Sequence, residues 1–276
     1  MLYMADYMND TNFIFALGLT IFAGLATGVG SLMTLLSKKF SPKFLAGSLG
    51  FSAGVMIYVS LVEIFIKAKD SLILSFGTKT GYWLTVISFF SGIAVIALID
   101  KLIPSYENPH EIKNISGNDS TGHNGNKKLM RIGVFSAIAI AVHNFPEGLA
   151  TFIAAMSDPT LGISIAVAVA IHNIPEGIAV SIPVYYATKN RSKAFWLSFL
   201  SGLAEPVGAI LGFLILKTIF NDATFGVIFG GVAGIMVYIS LDELLPTAEE
   251  YGEHHIAIGG LIAGMLIMAV SLLLFA

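Results

Sequence analysis

The sequence contains no cysteine, and only 12% of its 276 residues are charged, about half the share found in soluble domains. Without cysteine the chain has no disulfide, no thiolate nucleophile and no thiolate metal site. So little charge cannot cover a soluble globule, and a hydrophobic share of 55% excludes a disordered chain. A net charge of −3 provides no basic field for nucleic acid. The composition therefore predicts a membrane protein that crosses the bilayer several times.

Several segments are apolar over the roughly 20 residues that a helix needs to cross the hydrocarbon. They are residues 12–36, 44–66, 82–103, 130–156, 160–187, 192–219, 224–245 and 254–275. The predicted fold is an all-α polytopic membrane protein with eight transmembrane helices in a single domain, 1–276. The polar segment 104–128 is predicted to be a flexible cytoplasmic loop. Its two histidines, His110 and His123, are widely spaced, which favours a solvated linker over a metal sensor.

Lysine and arginine are unevenly distributed between the loops. Eleven of the fifteen lie in the loops after spans one, three and five, and four lie on the other side. Cytoplasmic loops carry the excess of basic residues, so those three loops are predicted to face the cytoplasm. Both termini then lie outside the cytoplasm, and the expected location is the cell membrane.

A long-range sequence repeat relates spans two and seven. Residues 53–63 read AGVMIYVSLVE and residues 233–243 read AGIMVYISLDE. These two spans cross in opposite directions, so the repeat indicates an inverted arrangement of spans 1–3 against spans 6–8, as in many transporters. It ends on Glu63 in one copy and on Asp242 and Glu243 in the other. We interpret these as gate or entrance carboxylates, although a cap at the membrane interface explains each of them singly.

Three carboxylates lie near the middle of their spans, with no lysine or arginine at that depth: Glu147, Glu176 and Glu205. Each ionised carboxylate there costs roughly 2.5–3.5 kcal/mol on insertion scales. A bound cation, protons or both must offset this charge. Each glutamate also adjoins a proline, and kinked backbone at membrane depth is tolerated where it lines a cavity.

A second repeat surrounds two of these glutamates, with HNFPEG at 143–148 and HNIPEG at 172–177. Residues three or four apart share a helix face, which groups the side chains as His143, Asn144 and Glu147, and as His172, Asn173 and Glu176. Imidazole suits zinc, copper, iron and nickel, whereas amide and carboxylate oxygens suit harder cations. One copy alone is explained by a packed histidine or a protonated glutamate. Two copies at matching depth favour two adjacent metal positions that share the glutamates.

With these two motifs and AEP at 204–206, the sequence resembles the ZIP family of divalent metal transporters, and most closely its bacterial ZupT-type members. The resemblance extends from about residue 12 to the end of the chain. It implies uptake of zinc, and often of iron, manganese, cobalt or cadmium, into the cytoplasm through a binuclear site at the membrane midplane. By motif match it implies a zinc-type position formed by Glu147, His172 and Glu176 with His143. It also implies an iron-type position formed by Asn144, Glu147, Asn173, Glu176 and Glu205.

The alternatives to a metal transporter are an intramembrane metalloprotease and a proton- or sodium-coupled antiporter. An intramembrane metalloprotease would need a motif such as His-Glu-x-x-His, which the chain lacks, so no enzymatic activity and no catalytic cofactor are expected. A proton- or sodium-coupled antiporter of another solute would use the glutamates but not the paired histidines and asparagines. The expected partners are divalent metal ions, with Zn²⁺ and Fe²⁺ first, and the lipid bilayer. The order of metal preference, proton coupling and oligomeric state stay open, a homodimer being one option.

Overall fold

The computed structural model describes residues 10–36, 41–102, 123–216, 221–251 and 254–275, and the regular elements within these ranges are all helical. We number the helices to match the predicted spans. They are α1 (Asp10–Leu36), α2 (Pro42–Val59, Ser60–Ile64 and Phe65–Phe76), α3 (Thr78–Leu102), α4 (His123–Ser157), α5 (Pro159–Thr188), α6 (Arg191–Gly202 and Ala204–Leu216), α7 (Asp222–Ile239, Ser240–Leu244 and Leu245–Tyr251) and α8 (His254–Phe275).

Seven of these helices are long and apolar enough to cross a membrane, as far as the described residues show. The remaining helix, α4, has 35 residues, which is ample length for a span. It packs against both α5 and α6. The predicted all-α polytopic membrane fold is confirmed.

Several helices extend beyond the predicted apolar limits. Helix α4 begins at His123 instead of residue 130, so residues 123–128, which were predicted to be loop, are helical. Helices α2 and α7 likewise continue to Phe76 and Tyr251. A helix makes its backbone hydrogen bonds within itself, both inside and outside the hydrocarbon. It can therefore continue through polar turns beyond the point where the apolar sequence ends. The rest of the predicted loop, including His110, lies outside the described residues.

A very short connection brings the two motif helices together. Only Asp158 separates α4 from α5, and its carboxylate caps α5 by accepting hydrogen bonds from the Thr160 and Leu161 amides, at 2.9 and 3.4 Å. Pro159 follows at the first helical position, which favours a helix start. So tight a connection makes α4 and α5 antiparallel neighbours and places the two motifs side by side.

Helices α1, α4, α5 and α6 form one close-packed group, which we call the motif bundle. Gly177 of α5 lies against the backbone oxygen of Thr27 in α1, and Gly148 of α4 lies against that of Glu205 in α6. Gly24 of α1 faces Gly202 of α6, so that a Cβ at Gly24 would lie 2.6 Å from the Gly202 oxygen. A side chain at any of these glycines would push two helices apart.

The remaining helices, α2, α3, α7 and α8, form a second group, the repeat bundle. Gly54 of α2 lies against the backbone oxygen of Leu261 in α8, and Gly234 of α7 lies against that of Phe89 in α3. Gly54 and Gly234 are equivalent positions of the long-range repeat. Wherever a described glycine approaches another helix closely, its neighbour belongs to the same bundle.

The two copies of the long repeat have the same local structure as well as the same contacts. A π-helical turn interrupts α2 at Ser60–Ile64, and a matching turn interrupts α7 at Ser240–Leu244. In both, the serine hydroxyl donates to the backbone oxygen four residues before it, at 2.6 Å for Ser60 and 2.7 Å for Ser240. These matching turns and glycine contacts fit an inverted repeat.

Candidate metal centre

The seven residues predicted as metal ligands lie together at the centre of the motif bundle. Each is at most 1% exposed: His143, Asn144, Glu147, His172, Asn173, Glu176 and Glu205. Helices α4 and α5 each contribute one motif, and α6 contributes the last glutamate. Buried carboxylates of this kind require charge compensation.

The two motifs pair with each other reciprocally. His143 Nε2 of α4 lies 3.3 Å from Glu176 Oε2 of α5. His172 Nε2 of α5 lies 3.4 Å from Glu147 Oε2 of α4. Each imidazole thus hydrogen-bonds the glutamate of the opposite motif, which fixes the two helix faces toward one another.

The asparagines are oriented by backbone oxygens of the flanking helices. The Asn173 amide nitrogen donates to the backbone oxygen of Ala23, at 2.9 Å, and to Glu205 Oε1. The Asn144 amide nitrogen donates to the backbone oxygen of Ser201, at 3.3 Å. An amide nitrogen offers only donor hydrogens, so in both residues the oxygen is the atom that can bind a cation.

Every predicted ligand retains one buried polar atom without a hydrogen-bond partner among the described residues. These atoms are His143 Nδ1, Asn144 Oδ1, Glu147 Oε1, His172 Nδ1, Asn173 Oδ1, Glu176 Oε1 and Glu205 Oε2. Buried polar atoms in native proteins almost always have a partner, so each such atom calls for an explanation. Seven of them in one cluster, all able to donate a lone pair, are what a cation site requires.

The donors are close but do not yet surround a single point. Within the described ranges, no group of three or more histidine, aspartate or glutamate side chains is arranged to hold an ion as it stands. The reciprocal pairs use Nε2 of both histidines and one oxygen of both glutamates. A metal would therefore need these side chains to turn so that their unpaired atoms, Nδ1 of the histidines and Oε1 of the glutamates, converge on one point.

The three carboxylates predicted to act as gates have different surroundings. Glu243 of α7 reaches the motif bundle, with Oε2 3.9 Å from His143 Nδ1. Its neighbour Asp242 instead lies next to the Tyr238 hydroxyl. Glu63, the equivalent of Glu243 in α2, pairs with Lys67 at 3.9 Å. The sequence repeat predicts equivalent roles, but the tertiary contacts of the two copies differ.

Several groups that hold the site were not found from the sequence. The backbone oxygens of Ala23 and Ser201 leave no side-chain signal, because any residue supplies them. Ser52 of α2 donates to the backbone oxygen of His172, at 3.2 Å, and so links the two bundles next to a motif. A single serine in an apolar span is common, so the sequence gives no sign of this contact. Only the fold shows that Ser52 lies beside the second motif. The interruption of α6 at Leu203, by contrast, is signalled by Pro206.

Comparison with known proteins identifies the family. A family model described as the ZIP zinc transporter matches residues 101–272. The chain is 67% identical to the zinc transporter ZupT of Chlorobium chlorochromatii (strain CaD3), over 97% of this chain and 100% of that protein. It is 62% identical to the zinc transporter ZupT of Streptococcus mutans, over 93% and 96%. It is 58% identical to that of Clostridium perfringens, over 97% and 98%.

The chain belongs to the ZIP zinc transporter family. This confirms the resemblance based on the HNFPEG, HNIPEG and AEP motifs. Membership of the ZIP family places the chain among membrane transporters rather than enzymes, which removes the metalloprotease alternative. The ZIP match begins at residue 101 and includes both motifs and Glu205, so the buried cluster lies within the matched region.

Proposed function

We propose that this ZIP protein carries zinc, and with it other divalent metals such as Fe²⁺, Mn²⁺, Co²⁺ and Cd²⁺, across the cell membrane into the cytoplasm. The observation that carries the proposal is the cluster of seven buried lone-pair atoms without hydrogen-bond partners among the described residues. The relatives named zinc transporters, similar over nearly the whole chain, support zinc as the first cargo.

The metal positions follow from the donor types. Zinc favours nitrogen ligands together with carboxylate, so the position between the reciprocal pairs uses His143, Glu147, His172 and Glu176. Harder ions such as Fe²⁺ and Mn²⁺ favour oxygen, so the adjacent position uses Asn144, Asn173 and Glu205 with the shared Glu147 and Glu176. Two divalent cations in these positions more than offset the three carboxylates, which explains why the bundle needs no lysine or arginine at that depth.

Metal binding at this site is an exchange of partners. Each histidine and glutamate turns from its counterpart in the opposite motif toward the ion. A neutral imidazole whose Nε2–H faces a glutamate keeps a lone pair on Nδ1, so it can bind the ion without losing a proton. Ligation requires deprotonated carboxylates and imidazoles with a free lone pair, so protons compete with metal. Protonation at the cytoplasmic side then favours release.

Alternating access uses the division into two bundles. Glycine contacts lock the helices together within each bundle. Between the bundles, the Ser52–His172 hydrogen bond and the Glu243–His143 contact are polar side-chain contacts that can exchange. We propose that the motif bundle moves with its metal against the repeat bundle, as inverted-repeat transporters move around a central site. With both termini outside, Glu63 serves the entrance, and Glu243 with Asp242 serves the exit.

The test is metal uptake into proteoliposomes loaded with a metal-sensitive dye. The Glu176→Ala variant should lose uptake, because Glu176 contributes to both metal positions. Thr85→Val is a matched control, since Thr85 is a buried α3 residue whose hydroxyl bonds only its own helix, to Gly81, among the described contacts. Normal zinc uptake by Glu176→Ala would refute the site. Failure of the wild-type protein to admit any divalent metal, with sodium-dependent pH changes instead, would support the antiporter.

A further inference from the structure

A cavity of about 230 Å³ lies at the boundary between the two bundles, away from the midplane cluster. Its wall consists of α2 and α8 of the repeat bundle and the start of α5 in the motif bundle, through Glu63, Lys67, Asp158, Thr160, Leu161, Ser164 and Leu272. A water molecule takes about 30 Å³ in the liquid. The cavity therefore admits a cation that retains several of its waters.

Ser164 gives the cavity a buried polar group that is not accounted for by the fold. The residue is 3% exposed, and its hydroxyl oxygen has no hydrogen-bond partner within the described part of the chain. Ser31, Ser60 and Ser240, by contrast, each donate the hydroxyl to the backbone oxygen four residues earlier. A buried hydroxyl that lines a cavity and has no partner in the protein is free to bond a water or a ligand there.

Two carboxylates give the cavity its charge preference. Glu63 projects from the π-helical turn of α2 and is half-buried, and Asp158 caps α5. Both cap hydrogen bonds of Asp158 use Oδ1, so Oδ2 is not needed for the cap. The Lys67 ammonium lies 3.9 Å from Glu63 and is the cation already present at this wall.

The cavity lies on the N-terminal side of the metal centre along α5, which is the outer side in the proposed topology. Ser164 and His172 are eight residues apart on this continuous helix, which corresponds to about 12 Å along the axis. Glu63 is the repeat equivalent of Glu243, which lies 3.9 Å from His143 at the other end of the centre. Glu243 of one repeat copy thus reaches the metal centre, whereas Glu63 of the other copy lines a cavity large enough for several water molecules.

We propose that this cavity is a loading site in which a partly hydrated divalent cation is held before it enters the midplane centre. Glu63 and Asp158 supply the negative charge, and the Ser164 hydroxyl accepts a hydrogen bond from a water on the metal. Lys67 pairs with Glu63 when no metal is present, so an arriving ion must displace it. A divalent ion does this better than a monovalent one because its attraction to two carboxylates is twice as large at equal distance. The assignment rests on the proposed transport of divalent metal.

The test is the concentration dependence of zinc uptake into proteoliposomes for three single variants. Glu63→Gln and Asp158→Asn each remove one charge at nearly constant shape, and asparagine is as good a helix cap as aspartate. Ser164→Ala removes only the hydroxyl. We expect each to raise KM, by about threefold to tenfold for the charge variants, while kcat stays at the wild-type value because the midplane centre is intact. Lys67→Met should lower KM.

Two controls separate the loading site from general surface charge. Asp70→Asn and Lys69→Met remove the same charges from the same end of α2 at residues outside the cavity wall, and KM should change little in both. Unchanged KM in Glu63→Gln, Asp158→Asn and Ser164→Ala, with normal wild-type uptake, would overturn the loading site and leave the transporter standing. Absence of metal uptake by the wild-type protein would instead overturn the proposed function itself.

Discussion

At the scale of single residues, the centre is defined by what its side chains leave unsatisfied. Asn173 illustrates the design, because its amide nitrogen is held by the Ala23 oxygen and by Glu205, so its oxygen stays unpaired within the described residues. Leaving a buried polar atom unpaired costs about 1–3 kcal/mol. A fold that does so seven times in one place gives up stability, which a bound cation would restore under the proposed function.

Asn173→Leu tests the role of this amide at nearly constant volume. The substitution removes the hydrogen bond to Glu205 and one oxygen ligand, so we expect zinc and iron uptake at low metal concentration to fall at least about tenfold. We also expect the free energy of unfolding to fall by about 1–3 kcal/mol, because Glu205 stays buried without that donor. Uptake assays and thermal unfolding in detergent measure the two effects. Thr85→Val, which removes a buried hydroxyl from α3 in the repeat bundle, should change neither quantity by as much.

At the scale of helices, glycine decides how closely neighbours pack. In membranes, close backbone approach replaces the hydrophobic effect as a source of helix association. Gly264 of α8 lies against the backbone oxygen of Phe51 in α2, whereas Gly259 on the same helix has nothing within 4 Å. Substitution of Gly264 therefore tests close helix packing, whereas the same substitution at Gly259 tests helix propensity alone.

Gly264→Ala should lower the free energy of unfolding by about 1–3 kcal/mol, because the added methyl group forces α2 and α8 apart. Gly259→Ala should be neutral or slightly stabilising, since alanine is the better helix former. Thermal unfolding of the two variants in the same detergent gives the comparison. Equal midpoints would mean that the α2–α8 contact is softer than the glycine packing indicates.

At the scale of the whole molecule, the two bundles are expected to move relative to each other. The chain has no cysteine of its own, so introduced thiols report without background. Leu161 of α5 and Leu272 of α8 line the cavity from opposite bundles, while Thr34 of α1 and Ser181 of α5 touch within the motif bundle, at 2.8 Å between hydroxyl oxygens.

Linking cysteines at Leu161 and Leu272 with a bifunctional thiol reagent should block zinc uptake, because it ties the bundles together. A disulfide between cysteines at Thr34 and Ser181 should leave more than half of the uptake, since both helices move as one unit. Uptake is measured before and after the link is formed, and for the disulfide again after reduction. Full transport by the Leu161–Leu272 linked protein would contradict relative movement of the bundles.

The sequence by itself determined the membrane fold, the number of spans and the seven candidate ligands. Low charge and long apolar segments leave few other folds, and three unpaired carboxylates at mid-span are too costly without a purpose. The exact HNxPEG repeat then singled out the histidines and asparagines. Hydropathy could not find the true starts and ends of α2, α4 and α7, because helices continue past the hydrocarbon as long as their backbone bonds are made.

Only the tertiary structure decided which groups meet. It paired each histidine with the glutamate of the opposite motif and oriented the asparagines with backbone oxygens that any residue could supply. It also gave equivalent residues different surroundings, placing Glu243 beside His143 and Glu63 at a cavity with Ser164. A repeat in the sequence fixes residue types and helix faces. The contacts of each copy depend on how the two bundles are positioned, which local patterns do not encode.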